Sequence, residues 1–283
     1  MNEGYQNRET PKPDPSPSDL LEEAAPPKLR YVGFIAFPLL LGLAYLIQAS
    51  PLQFFLQGFH IWIHEFGHSM VAWFSGYNAS PLPIGWTNVG LEKSNFVYFG
   101  VLFLLGLFAW AGWNEGKPAP IIIAVVLIPL QAWMTWKLPA YDYEVWMAYG
   151  GIGGEFVLST AFTLAFFLDF PEKFRWGICK YLFLLLGATT FWQSYTQWMD
   201  ISAGRENIPW GTLIHGGDDQ GGDMNILTQY GWTPYQIVTS YEQLAKGCLA
   251  TLVAGYTLAV SWFLLRKMSD QKKVSSASDR KKT

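Results

Sequence analysis

The segment His64-Glu65-Phe66-Gly67-His68 contains the pattern H-E-x-x-H. Two histidines four positions apart lie on one face of an α-helix, where both imidazoles can reach the same zinc ion. The glutamate beside the first histidine then faces the same cavity, where it can act as general base for a water activated by the metal. The chain has only four histidines. We therefore predict zinc ligation by His64 and His68, with Glu65 as the catalytic base.

A third zinc ligand has to come from elsewhere, because a catalytic zinc usually has three protein ligands and one open position. The candidates concentrate in a Gly/Asp-rich connection at 200–241. Asp223 precedes a helix-like segment at 224–230, so it is either a ligand or a helix N-cap, and the two roles can coexist. The alternatives in the same connection are candidate ligands or neighbours of a ligand: His215, Asp218 and Asp219.

Three further polar residues are candidates for a role in or near such a site. His60 shares a helical face with His64, but eight residues of straight helix from His60 to His68 span about 12 Å. We therefore expect His60 to line the cavity or contact a ligand rather than bind the metal. Glu155 lies in an apolar run, where a carboxylate is either hydrated at the interface or orients a ligand histidine. Asn225 is a candidate for holding substrate or an oxyanion.

The composition is that of a membrane protein. Hydrophobic residues make up 51% of the 283 residues, aromatic residues 17% and charged residues only 14%, which lies outside the usual range of soluble domains. The net charge of −3 and the lack of a basic stripe exclude nucleic acid as a partner. The expected location is a lipid bilayer, with several spans and the metal at lipid depth.

Seven apolar runs have the length and composition of transmembrane helices. Backbone groups in lipid must be satisfied within each segment, so the runs predict an all-α membrane protein, a polytopic bundle of about six to seven transmembrane helices with a long Gly/Asp-rich loop. The segment at 77–95 contains glycines and prolines around short β-favouring stretches and predicts a hairpin or a re-entrant loop. The seven runs are 31–49, 52–76, 96–113, 121–136, 150–168, 176–198 and 244–265.

The two ends of the chain differ from the rest in composition. Residues 1–29 are rich in Pro, Asp, Glu and Ser, which predicts a disordered N-terminal segment. Residues 269–283 are polar and rich in Lys and Arg, which predicts a disordered basic tail. The predicted membrane-embedded, metalloprotease-like domain therefore covers residues 30–268.

An H-E-x-x-H in an apolar helix followed by a distal aspartate resembles the site-2 protease family of intramembrane zinc metalloproteases. His64, Glu65 and His68 match the family motif, including the glycine before the second histidine. The Leu-Asp-Gly pattern common in that family is absent. The stretch from Asp223 to Pro234 is instead similar to divergent members, in which an aspartate precedes a leucine, a glycine and a proline.

The resemblance implies a zinc metalloendopeptidase that hydrolyses peptide bonds of membrane-embedded or membrane-adjacent polypeptides. It also implies Asp223 as the third ligand of the Zn²⁺ cofactor. A catalytically inactive membrane scaffold or regulator that retains the metal-site fold is the alternative. A metal transporter ranks below both, because transporters usually place their ionisable residues on several spans at similar depth.

Overall fold

The structure, a computed structural model, describes residues 27–174, 177, 179–211 and 221–280. The described chain is mostly helical and includes one two-stranded sheet. The elements are α1 (Pro27–Gln48), α2 (Gln53–Phe74), β1 (Tyr77–Leu82), β2 (Trp86–Lys93), α3 (Asn95–Asn114), α4 (Pro118–Trp136), α5 (Ala140–Ala165), a 3₁₀ turn (Glu172–Phe174), α6 (Cys179–Ser202), α7 (Asp223–Gln229) and α8 (Pro234–Arg280).

The chain divides into two compact units. Residues 1–39 form one unit, of which the described part is the first half of α1. Residues 40–283 form the other and contain every described residue discussed below as part of the candidate site.

Three helices in the described chain are long and apolar enough to cross a membrane, namely α3, α4 and residues Pro234–Leu265 of α8. The number rises to four if Gly33–Gln48 of α1 and Gln53–Phe74 of α2, a pair bent by 105°, count as one broken span. Helices α5 and α6 are long enough but less apolar. A helical bundle agrees with the sequence-based prediction, whereas this count does not establish six to seven spans.

The helix with the H-E-x-x-H pattern packs closely against α5 because glycines face each other at the crossing. A Cβ atom placed on Gly67 would lie 2.2 Å from the carbonyl oxygen of Gly150, and one on Gly154 would lie 2.4 Å from the Cα of Gly67. No side chain fits at these distances. The two backbones therefore approach to a separation that only glycine permits, and this brings the histidines of α2 against α5.

Helix α7 is short, and apolar burial fixes its position. Met224 and Leu227 are one turn apart and lie in the main hydrophobic core, together with Trp198 of α6 and Tyr241 of α8. A helix of seven residues is not stable by itself in water. Its packing on this core is what places Asp223, the first residue of α7, at a fixed point beside α2 and α5.

Strands β1 and β2 form an antiparallel hairpin, one of the two structures predicted for this segment. Ala79 pairs with Val89 and Leu82 pairs with Trp86. The Nε1–H of Trp73 on α2 donates to the carbonyl oxygen of Ala79 at 3.0 Å. This bond ties the hairpin to the helix that carries the histidines.

Two segments have more helix than the sequence predicted. The predicted loop at 200–241 is shortened at both ends, because α6 continues to Ser202 and α8 begins at Pro234. Within it, α7 at Asp223–Gln229 confirms the helix-like segment predicted at 224–230, shifted by one residue. Helix α8 also continues to Arg280, through most of the predicted tail at 269–283. Adding residues to an existing helix is much easier than starting one, so a polar sequence can extend a long apolar helix. Residues 1–26 of the predicted N-terminal segment lie outside the described residues.

Candidate metal centre

Three side chains from α2 and α7 converge on one point. The Nε2 atoms of His64 and His68 are 3.2 Å apart. The Oδ2 atom of Asp223 lies 3.1 Å from His64 Nε2 and 3.4 Å from His68 Nε2. His64 and His68 meet because they are one helical turn apart, whereas Asp223 is brought from far along the sequence by the packing of α7. Among the described residues, these three form the group whose geometry suits a metal ion.

The partners of the two imidazoles determine which ring nitrogen carries the proton. His64 Nδ1 lies 2.7 Å from Glu155 Oε1, and His68 Nδ1 lies 2.7 Å from the carbonyl oxygen of Met147. A carbonyl oxygen and a carboxylate accept hydrogen bonds, so each Nδ1 carries the hydrogen and donates it. When the two imidazoles are neutral, as metal ligands are, both Nε2 atoms therefore present lone pairs toward each other and toward Asp223.

Three lone-pair atoms at these distances repel one another unless a cation lies between them. Tetrahedral ligands at the usual zinc bond lengths are separated by about 3.3–3.5 Å, which is close to the 3.1–3.4 Å observed. Within the described part of the chain, the buried Oδ2 of Asp223 has no hydrogen-bond partner. A single proton would satisfy one of the three contacts, whereas one metal ion would satisfy all three. The donor set of two imidazoles and one carboxylate suits zinc.

Asp223 is a carboxylate at neutral pH. Burial raises the pKa of Asp223, but positive charge on the imidazoles of His68 and His64 lowers it by more, so that the pKa falls to about 2. The N-cap role considered for Asp223 is wrong. The N-cap of α7 is Gly222, and Asp223 is the first residue inside the helix, since the chain becomes helical one residue earlier than predicted.

The space around the three ligand atoms exists because Gly151 of α5 has no side chain. A Cβ atom on Gly151 would lie 2.5 Å from both Cε1 and Nε2 of His64, and 2.7 Å from Oδ2 of Asp223. These contacts are shorter than van der Waals distances. Gly151 therefore leaves open the position where a metal and its ligands would meet.

We expect the substitution Gly151→Ala to prevent metal binding while leaving the helices formed, because the added methyl group displaces His64 and Asp223 from each other. The measurement is the zinc content of the purified protein beside its circular dichroism. Gly58→Ala on α2 is the matched control, since a Cβ there meets no atom within 4 Å. Equal zinc content in the wild type and in Gly151→Ala would contradict this account of the site.

The predicted general base is held beside the site by the hairpin. Glu65 is buried, and its Oε2 lies 2.6 Å from the hydroxyl oxygen of Thr87 on β2. The same hydroxyl lies 3.0 Å from the backbone carbonyl oxygen of Glu65. A hydroxyl that donates to a carboxylate limits its rotation. Thr87 therefore fixes the direction of the Glu65 side chain.

Glu65 and the three candidate ligand residues line one cavity of about 650 Å³. The hairpin contributes Trp86, Thr87 and Leu91 to its wall, and α5 contributes Tyr143 and Met147. The volume is within the range of ligand-binding clefts. Among the described residues, the space beside the ligand atoms is therefore large enough to hold water and a ligand.

The remaining predicted residues occupy different positions. His60 Nε2 lies 3.5 Å from Glu155 Oε1, so His60 stands behind His64 and outside the converging group. Glu155 is buried and contacts His64, and so is not a hydrated residue at an interface. The amide nitrogen of Asn225 donates to the carbonyl oxygen of Gly211, and Asn225 is not in the wall of the cavity. The other predicted candidates lie outside the described residues: His215, Asp218 and Asp219.

Four contributions were not predicted from the sequence: the hydroxyl of Thr87, the carbonyl of Met147, the missing side chain of Gly151 and the hydroxyl of Ser194, which donates to Glu155 Oε2. Only Gly151 carried a signal, since it lies in the glycine-rich stretch around Glu155. The other three depend on contacts between distant elements.

No family model, no curated protein and no solved structure matches this chain.

Proposed function

We propose that this protein is a zinc-dependent peptide hydrolase that acts within or beside a membrane. The observation that carries the proposal is the meeting of three lone-pair atoms from His64, His68 and Asp223 at 3.1–3.4 Å, next to a buried glutamate and an open cavity. The resemblance of the H-E-x-x-H segment to the site-2 protease family supports the same assignment.

His64, His68 and Asp223 would hold the ion. Zinc, when bound by three protein ligands, supplies Lewis acidity that makes a water molecule acidic near neutral pH and polarises a carbonyl group. The buried surroundings strengthen this effect, because charges interact more strongly where water is excluded.

Glu65 moves the proton in the proposed reaction. It accepts a proton from the attacking water, whose oxygen forms a bond to the carbonyl carbon of the peptide. The carbon–nitrogen bond then breaks, and Glu65 passes the proton to the leaving amine. Thr87 keeps the carboxylate in place through its hydrogen bond, so that the same oxygen is available for both transfers.

The residues that line the cavity support a membrane-associated polypeptide as the substrate. Its wall includes residues of α2, which with α1 forms a bent apolar pair, and of the hairpin, whose Trp86 and Leu91 are exposed. A transmembrane or membrane-adjacent polypeptide would have to be extended there for its backbone to reach the ligand atoms. We further propose that α5 and α6 lie within the bilayer with the more apolar helices, which would give six to seven spans in a multi-pass integral membrane protein.

Removing the metal tests this proposal. The purified protein is expected to contain one equivalent of zinc and to cleave fluorescein-labelled casein and a pool of single-span peptides in vesicles. Treatment with ortho-phenanthroline should remove the zinc and stop cleavage, and added zinc should restore it. The meta isomer of phenanthroline, which does not chelate, is the control.

The two ways in which this test can fail have different meanings. Protein that contains no zinc, and takes up none when zinc is supplied, would contradict the metal centre itself. Protein that binds one equivalent of zinc but cleaves neither casein nor the peptide pool would contradict hydrolysis, and would favour the scaffold that retains a metal-site fold.

A further inference from the structure

We infer that Glu155 is a positioning residue: it holds the imidazole of His64 in the one orientation and tautomer that binds the metal, and its charge helps to balance a divalent cation. The inference rests on the proposed zinc centre. It extends that proposal from the atoms that would touch the metal to the buried contacts on the far side of His64.

The contact between Glu155 and His64 determines what the other ring nitrogen can do. Glu155 Oε1 lies 2.7 Å from His64 Nδ1, on the side of the ring opposite the converging ligand atoms. The hydrogen on Nδ1 is donated to the carboxylate, so Nε2 keeps its lone pair. A carboxylate in this position also makes the imidazole a stronger electron donor to a metal.

Glu155 is itself held from both sides. The hydroxyl of Ser194 on α6 donates to Oε2, and His60 Nε2 lies 3.5 Å from Oε1. Glu155 is 2% exposed. Because donors face both oxygens, neither oxygen has to carry a proton, and the side chain cannot turn away from His64 without losing these contacts.

The two metal-facing histidines are oriented by different kinds of acceptor. His68 donates to a backbone carbonyl oxygen, that of Met147, whereas His64 donates to a carboxylate. The carbonyl is neutral and the carboxylate carries one negative charge. Glu155 therefore adds behind His64 a negative charge that would help to balance a divalent cation, whereas the carbonyl behind His68 adds none.

The burial of this carboxylate is a second observation that favours a cation nearby. A buried carboxylate is costly unless it is paired and hydrogen-bonded. Within the described part of the chain, the ion-pair contacts of Glu155 and Asp223 are with histidines, and no lysine or arginine is paired with either carboxylate. A divalent cation at the converging atoms would add the positive charge that compensates both carboxylates, Asp223 by direct contact and Glu155 through the ring of His64.

The first test follows the His64 tautomer in metal-free protein. Ring-labelled histidine is observed by nitrogen-15 NMR at a pH at which the ring is neutral. In the wild type, His64 is expected to carry its hydrogen on Nδ1. In Glu155→Leu the acceptor is gone, and a mixture of tautomers is expected. A wild-type ring with its hydrogen on Nε2, or an unchanged tautomer in Glu155→Leu, would overturn the inference.

The second test measures zinc affinity by competition with a coloured chelator. Glu155→Gln keeps the size of the side chain and removes its charge, and should weaken zinc binding by about 10- to 100-fold, as is typical when an outer partner of a ligand is lost. Ser159→Ala is the matched control, because Ser159 is also buried on α5 and its hydroxyl bonds to the backbone of its own helix. Its affinity should stay within about twofold of the wild type.

These measurements separate the inference from the proposal on which it rests. If Glu155→Leu does not fold, Glu155→Gln decides, and an affinity equal to that of the control would reject the role of Glu155. If the wild type binds no zinc, the proposed function fails. The tautomer comparison in metal-free protein then still decides whether Glu155 orients His64.

Discussion

Replacing Asp223 with alanine is expected to abolish stoichiometric zinc binding. His64 and His68 alone leave the ion with two protein ligands, whereas catalytic zinc sites use three. The loss of zinc affinity should exceed the 10- to 100-fold change that is typical when a residue hydrogen-bonded to a metal ligand is removed. Helix α7 should stay in place, because Met224 and Leu227 anchor it in the core. The measurement is zinc content by mass spectrometry after dialysis against a weak chelator.

The controls for Asp223→Ala separate ligation from general loss of charge. Asp200→Ala removes a carboxylate at the end of α6, where it pairs with the exposed Arg205, and such surface pairs contribute about 0–1 kcal/mol. It should leave the zinc content unchanged. Asp223→Asn keeps the shape but removes the charge, and should bind zinc more weakly than the wild type. Full zinc content in Asp223→Ala would show that another residue supplies the third ligand.

The parts of the site that could be predicted from the sequence are the local ones. His64 and His68 meet because helical periodicity alone places residues four apart on one face. Asp223 could be identified only as one of several candidates, since its position depends on how α7 packs. The helix-like segment at 224–230 was predicted, but its anchoring in the core by Met224 and Leu227 was not. Two large apolar residues one turn apart in a glycine-rich stretch are a signal for such an anchor.

The parts that could not be predicted depend on contacts between distant elements. The hydrogen bond from Thr87 to Glu65 requires the hairpin to fold back on α2, and that from His68 to Met147 uses a backbone carbonyl, which any residue can offer. The number of transmembrane helices could also not be predicted from the lengths of the apolar runs alone. Helices α5 and α6 contain polar residues of the site, such as Glu155 and Ser194. Their mean hydropathy is therefore lower than that of α3 and α4, which do have the composition of membrane spans.

The substitution Glu65→Gln is expected to retain zinc and to lose hydrolysis. A glutamine amide fills the same space, and the hydroxyl of Thr87 can still donate to its oxygen, so the ligand residues stay where they are. The amide cannot accept the proton of the attacking water. Loss of a general acid–base group lowers turnover by about 10²- to 10⁴-fold. Zinc content and cleavage of casein and the peptide pool are measured on the same preparation.

A second glutamate in the same cavity makes this prediction specific. Glu144 of α5 also lines the cavity, but it is exposed and is not part of the converging group. Glu144→Gln removes the same charge from the same cavity, and should change turnover by far less than Glu65→Gln. If both variants lose activity equally, the cavity needs negative charge rather than a base at position 65. If Glu65→Gln cleaves at the wild-type rate, proton transfer must go through a different group.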